Sequence, residues 1–333
     1  MRYFVELLVV AAVMAEVNAA AELTTIWTTR LGPLQPQTEG VYRTAVCGDG
    51  SAYFVDGLNR VAAVSASGQL LYDGEVGLAK TFAISCDPSG HLIAINGEFF
   101  STWRLKGSSR SSLEKLTEIS VKSLALMPSK IIDTPSGLYI IGKTRSQQQT
   151  TSAKILHRMD RTGRHFASME LGQHPTDLSA AEATLSMRRG AFAWDPDLGT
   201  LAFALANPFE LRLFDANSQQ VSAPTRPVGT FAPLRIEGSG APAWTDRIVD
   251  MTYSSGLGFV VQSIEREGSS GKKRSFLTVL SPQTLEVRSR IPLKGSGVSG
   301  FLQGSSRDGL LYFQSVAPDT GIQLSAVRLV LTK

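Results

Sequence analysis

The chain is poor in cysteine and histidine and carries no strong excess of charge of either sign. Cys47 and Cys86 are the only cysteines in 333 residues, which excludes a disulfide-dense scaffold held together without a core. The four histidines, His91, His157, His165 and His174, show none of the paired spacings that announce a metal site. Lys and Arg number 33 against 29 Asp and Glu, a formal net charge of +4 that is too small and too dispersed for a nucleic-acid binder. No Gly-x-Ser-x-Gly elbow, phosphate loop or Cys-x-x-Cys occurs. Helical periodicity never lasts beyond a turn or two, the best candidates being 112–116 and 180–185.

Long apolar runs are missing as well. Leu7 to Ala15 is about half of the roughly 20 residues a membrane span requires. Behind Arg2 and ahead of the small-residue pattern Val17-Asn18-Ala19, that run reads as a secretory signal cleaved after Ala19 or Ala21. The expectation is a leader over 1–19, a single domain over 20–333, and a secreted or periplasmic mature protein. An oxidising compartment would permit a Cys47–Cys86 bridge if their Cα atoms come within about 7 Å, the alternative being two buried thiols.

What is abundant is one recurring phrase: a polar turn with a glycine, followed by a β-branched and aromatic run. It reads Asp49-Gly50-Ser51-Ala52-Tyr53-Phe54-Val55, then Asp87-Pro88-Ser89-Gly90-His91-Leu92-Ile93, then Pro135-Ser136-Gly137-Leu138-Tyr139-Ile140-Ile141. Looser copies centre on Gly199, Gly256 and Gly309. Each copy runs on into a second strand, a polar turn such as Asp160-Arg161-Thr162-Gly163, and a further strand. Six such units predict an all-β, six-bladed β-propeller of four-stranded antiparallel blades. The last repeat stops a strand short at Val330, and Leu23 to Leu31 supplies a strand from the other end. Pairing that N-terminal strand with the last blade would close the ring and remove its open edges.

The phrases Asp87-Pro88-Ser89-Gly90-His91-Leu92 and Pro135-Ser136-Gly137-Leu138-Tyr139, with the Asp160-Arg161-Thr162-Gly163 turn, resemble the six-bladed propellers of the NHL-repeat and SMP-30/gluconolactonase group. Some members of that group are metal-dependent lactonases whose first ligand lies in a Glu-Gly-Pro phrase ahead of the first inner strand. Glu39-Gly40-Val41 stands in a similar place here, without the proline. The resemblance therefore implies, as the alternative reading, a hydrolase with Ca²⁺ or Zn²⁺ in the central channel, held by Glu39 and acids such as Asp133, Asp195 and Asp250. Those acids fall in or before inner-strand turns, where Asp also serves simply to cap the turn.

The residues outside the repeat point elsewhere. The second-to-third strand connections of the third and fifth units carry Lys143 and Arg145, and Lys272, Lys273 and Arg274. The two longest connections between units add Arg188, Arg189 and Trp244. In a four-stranded meander both kinds of loop emerge on the face opposite the glycine turns. Long loops on a rigid scaffold concentrate function. The leading expectation is thus a binding module without a cofactor, a monomeric ring engaging a protein or an anionic ligand through these eight residues and not nucleic acid.

Overall fold

The computed structural model describes residues 21–31, 43–56, 60–76, 78, 81–96, 98–106, 112–124, 126–144, 155–169, 179, 182, 185–187, 189–228, 231–232, 235–236, 242–243, 246–266, 272–317 and 321–332. They form six radial antiparallel sheets and one two-stranded ladder, Arg235–Ile236 with Pro242–Ala243. Blade 1 comprises Arg43–Val46, Ala52–Val55, Arg60–Val64 and Leu70–Glu75; blade 2 comprises Ala83–Cys86, Leu92–Ile95, Phe99–Lys106 and Ser112–Ser120. Blade 3 is built from Leu126–Thr134, Gly137–Thr144, Leu156–Met159 and His165–Met169. Blade 4 has Ala191–Asp195, Thr200–Ala204 and Leu211–Phe214, with a broken fourth strand bridging Phe214 to Gln220 and Leu211 to Thr225. Blade 5 contains Arg247–Ser254, Gly258–Arg266, Lys273–Leu280 and Val287–Pro292. In blade 6, Phe301–Ser305, Leu310–Ala317 and Gly321–Leu331 are completed by Ala21–Arg30.

The first strand of every blade is innermost, and each inner strand touches those of the blades on either side, blade 6 returning to blade 1. The arrangement is a six-bladed propeller. Closure is by Ala21–Arg30, which runs antiparallel to Gly321–Leu331 from Ala21 opposite Leu331 to Arg30 opposite Gln323. This strand also reaches blade 1, where the Trp27 indole donates to the Ala66 carbonyl at 2.9 Å.

The core is divided among the six seams between blades. One apolar cluster fills each: Phe54, Leu324 and Tyr312 between blades 6 and 1; Tyr53, Leu92 and Trp103 between 1 and 2; Ile93, Ile131 and Leu138 between 2 and 3. Tyr139, Phe192 and Phe203 fill the next, followed by Leu211, Phe259 and Leu280 and by Val279, Leu302 and Phe313. Middle strands are therefore buried on both faces, which explains why the recurring phrase reads as a continuous apolar run.

The recurring glycines occupy the turns between first and second strands. Gly137 has φ +121° and lies so close to Met159 that an added Cβ would sit 2.7 Å from its carbonyl oxygen. Gly50, at φ +85°, has a second use: its carbonyl accepts from the Tyr312 hydroxyl of blade 6 at 2.7 Å. In the same way Tyr53 of blade 1 donates to the Gly90 carbonyl of blade 2 at 3.1 Å. The third residue after one turn glycine thus fastens the next blade's turn glycine.

Cys47 and Cys86, at the ends of neighbouring inner strands, are joined by a disulfide with Cα atoms 5.1 Å apart. Residues 112–116, a helical candidate by spacing, belong instead to the outer strand Ser112–Ser120. There Leu113 and Ile119 pack into two different seams, so pairing with Phe99–Lys106 overrides a three-residue spacing that suited one helical face. The other candidate, 180–185, falls mostly outside the described residues, although Leu185 to Met187 do form a helical turn.

Removing the disulfide as Cys47→Ser/Cys86→Ser should cost about 3–4 kcal/mol in urea unfolding under oxidising conditions, because the bridge closes a loop across 39 residues. Tyr312→Phe should cost about 1 kcal/mol at neutral pH, since it strands the buried Gly50 carbonyl. Burial pushes the Tyr312 phenol up to about 12, so between pH ~10 and ~12 the unfolded chain releases this proton before the folded one does. The wild type therefore loses stability over that window relative to Tyr312→Phe, and the neutral-pH gap should narrow.

Candidate functional site

Six inner strands enclose a channel of about 850 Å³ lined by every blade. Its charged lining is Arg43, Asp87, Lys130, Asp133, Asp197, Asp250 and Arg307. Midway along it, Lys130 Nζ meets Asp250 Oδ1 at 2.6 Å, an ion pair between blades 3 and 5 that spans the intervening blade 4. Both side chains keep partial exposure, so the pair faces the cavity while remaining bonded.

The other channel acids are held near the glycine-turn end. Asp133, whose side chain is wholly enclosed, receives the Arg161 guanidinium in two bonds of 2.8 and 3.2 Å. Burial pushes the Asp133 carboxyl above the ordinary carboxylate value, and Arg161 opposes that rise. Asp87 is bonded to His91 Nδ1 at 2.9 Å and to the amides of Ser89 and His91. Asp195 accepts the amides of Asp197 and Leu198 at 2.8 and 3.1 Å, so it caps its turn. The Tyr253 hydroxyl donates to Asp197 at 2.5 Å, and burial, reinforced by that bond, raises its phenol far above the usual range.

The lactonase-type ligand set does not assemble from the described residues. Among them no three His, Cys, Asp or Glu side chains converge as metal ligands. Asp133 and Asp250 face cationic side chains, Asp195 faces turn amides, and Glu39 lies outside the described residues. A divalent ion would have to displace an ammonium or a guanidinium to reach either of the first two.

At the opposite end of the channel the acids are buried and several bases are exposed. Carboxylates on this side of blades 4 and 5 are consumed internally: Glu210 by Arg212 and Arg226, Glu265 by Ser263 and Arg290, Asp246 by the amides of Ala232 and Arg266. Lys272 and Lys273 are exposed at the start of the third strand of blade 5, with Arg274 half-buried behind them. Arg189 is exposed just ahead of blade 4's inner strand, and Lys143 is half-buried near the end of blade 3's second strand. Of the remaining sequence candidates, Arg145, Arg188 and Trp244 lie outside the described residues.

Sequence reading passed over Arg43, Lys130 and Arg247. Arg43 and Arg247 begin their inner strands a few residues before a turn glycine, so measuring back from the repeat would have flagged them. Burial lowers the pKa of both, and at Arg247 the charge of Arg189 adds to the effect. Arg43 also donates to the Phe82 carbonyl of blade 2. Nothing in the sequence marked Lys130, whose partner is 120 residues away.

No family profile matches the chain, and no curated protein matches its sequence. Among solved structures, a member of the DUF4221 family from Bacteroides vulgatus is similar over 94% of this chain and 99% of its own, at 10% identity and a TM-score of 0.53. A candidate oxidoreductase (glucose dehydrogenase) from Thermus thermophilus is similar over 92% of this chain and 100% of its own, at 13% identity and a TM-score of 0.50. These proteins share the propeller fold. A gluconolactonase from Xanthomonas campestris aligns over 95% of this chain and 93% of its own, with 11% identity and a TM-score of 0.48. The resemblance to the propeller superfamily is one of architecture. Among the described residues no helix is long and apolar enough to cross a membrane.

Arg161→Ala should destabilise the fold by on the order of 1–2 kcal/mol at pH 7, because it leaves the enclosed Asp133 carboxylate without its cation. The figure is set below that for a fully buried pair, as Arg161 is half exposed. With its folded pKa raised, Asp133 takes up a proton at a higher pH when folded than when unfolded. The penalty of Arg161→Ala should therefore shrink as pH falls through the carboxylate range, as measured by urea midpoints along a pH series.

Proposed function

We propose that this protein is an exported, non-catalytic binding propeller that needs no cofactor. As a monomeric ring it engages an acidic protein surface or another anionic ligand on its long-loop face. The observation that carries this reading is the exposure of basic side chains over blades 4 and 5, where the nearby acids are buried in the fold. Glu210, Asp246 and Glu265 are satisfied inside the fold, whereas Arg189, Lys272 and Lys273 stand exposed. Exposed cations over buried acids present positive charge to the solvent, which steers anionic partners toward this face.

A second reading draws on the channel. Its volume lies within the range of small-molecule sites, and the Lys130–Asp250 pair offers a donor and an acceptor inside it. The lactonase-like or dehydrogenase-like chemistry named for the Xanthomonas and Thermus proteins would belong here.

Poly-L-glutamate is a direct probe of the leading assignment. The mature chain should bind it with an affinity that falls as salt rises, and Lys272→Gln/Lys273→Gln/Arg274→Gln should lose roughly 0.5–1 kcal/mol per charge, with a shallower salt slope. Unchanged affinity and slope in the triple variant would remove the basic-face assignment. Lactone hydrolysis by the wild type that disappears in Asp250→Asn would move the function to the channel.

A further inference from the structure

Two charged residues of the channel owe their position to the same backbone irregularity. The inner strands of blades 3 and 5 each carry a β-bulge, between Pro128 and Lys130 and between Ile248 and Asp250, whereas those of blades 1, 2 and 4 keep an unbroken register. Blade 6 has a further bulge, but the residue that follows it is Gly304, which has no side chain to aim. A bulge bends its strand and re-aims the side chain beside it. Lys130 and Asp250 are each the first residue to regain pairing after the bulge, and both line the channel. There they meet at 2.6 Å.

The pair keeps unused bonding capacity. Both bonds that Asp250 accepts, from Lys130 Nζ at 2.6 Å and from the Met251 amide at 2.8 Å, fall on Oδ1. Among the described residues Oδ2 accepts no bond, and Lys130 donates only to Asp250. An ammonium carries further donors, so the channel presents N–H groups and a carboxylate oxygen side by side. The other channel acids are engaged elsewhere: Asp133 by Arg161, Asp87 by His91 and Asp197 by Tyr253. Ile84, Ile132, Phe192 and Trp194 share the lining, and apolar walls of this kind strengthen charge interactions by lowering the local dielectric.

We propose that the Lys130–Asp250 pair is the recognition element for an α-amino acid bound as its zwitterion. The ligand carboxylate accepts from the remaining donors of Lys130 while its ammonium donates to Asp250 Oδ2, so the four charges alternate in sign. A singly charged ligand of either sign would set a like charge against one member of the pair. The inference rests on the channel reading above and deepens it by naming the class of ligand.

The test screens the standard L-α-amino acids against the mature full chain by thermal unfolding. The tightest is then measured by calorimetry beside its amide and its N-acetyl derivative, each of which keeps a single charge. At least one amino acid should raise the midpoint in a saturable manner, and both derivatives should bind at least about tenfold more weakly. Lys130→Met/Asp250→Leu exchanges the pair for apolar side chains, so it should keep the midpoint of the unliganded wild type and bind the amino acid at least about tenfold more weakly. The derivative series uses the wild type alone and decides the matter even if the double variant does not fold. No saturable shift with any amino acid, equal affinity for the derivatives, or binding retained by the folded double variant overturns the proposal. Lactone hydrolysis that depends on Asp250, or binding of a singly charged derivative in place of the amino acid, would sink this ligand and leave the channel reading standing. If the channel takes none of these compounds, both fall.

Discussion

Everything in this molecule depends on the ring being closed. A propeller blade buries its two faces only against neighbours, so an open ring of six would leave the seam between its first and last blades facing water. The ladder between Ala21–Arg30 and Gly321–Leu331 removes that opening by making one sheet from the two ends of the described chain. Trp27 carries the closure on to blade 1 through Ala66, and the Tyr312–Gly50 bond crosses the same seam. The disulfide between Cys47 and Cys86 secures the next seam, so covalent and noncovalent fastenings sit side by side.

Closure also decides where charge can go. Around a closed ring the inner strands converge on a narrow channel, and carboxylates placed there lose water unless they are paired. Asp133 with Arg161 and Asp250 with Lys130 are two solutions to that one problem. At the channel's other end, the acids around blades 4 and 5 are likewise drawn into structural bonds.

Much of the architecture was legible because a repeat reports its own geometry. The glycines at 50, 90 and 137 marked the tight turns, and the apolar runs behind them marked strands buried on both faces. Cys47 and Cys86 could be seen as register mates, and Leu23 to Leu31 as the strand that completes blade 6. The outer strand of blade 2 was not legible. Its Leu113, Leu116 and Ile119 have a helical spacing, and only pairing with Phe99–Lys106 decides otherwise. The candidate site was legible in part: Arg189, Lys272, Lys273 and Arg274 stood out as departures from the repeat, while Arg247 and Lys130 did not.

By itself, the sequence determined the number of blades, the place of each turn and the strand that closes the ring, since these are local patterns of glycine and of period-two hydrophobicity. Tertiary structure alone decided which charges meet. Lys130 finds Asp250 across 120 residues, and Arg161 finds Asp133 across 28. The physical reason is range: turn chemistry is written within four residues, whereas charge pairing depends on distances that exist only once six separate sheets have been brought around one axis.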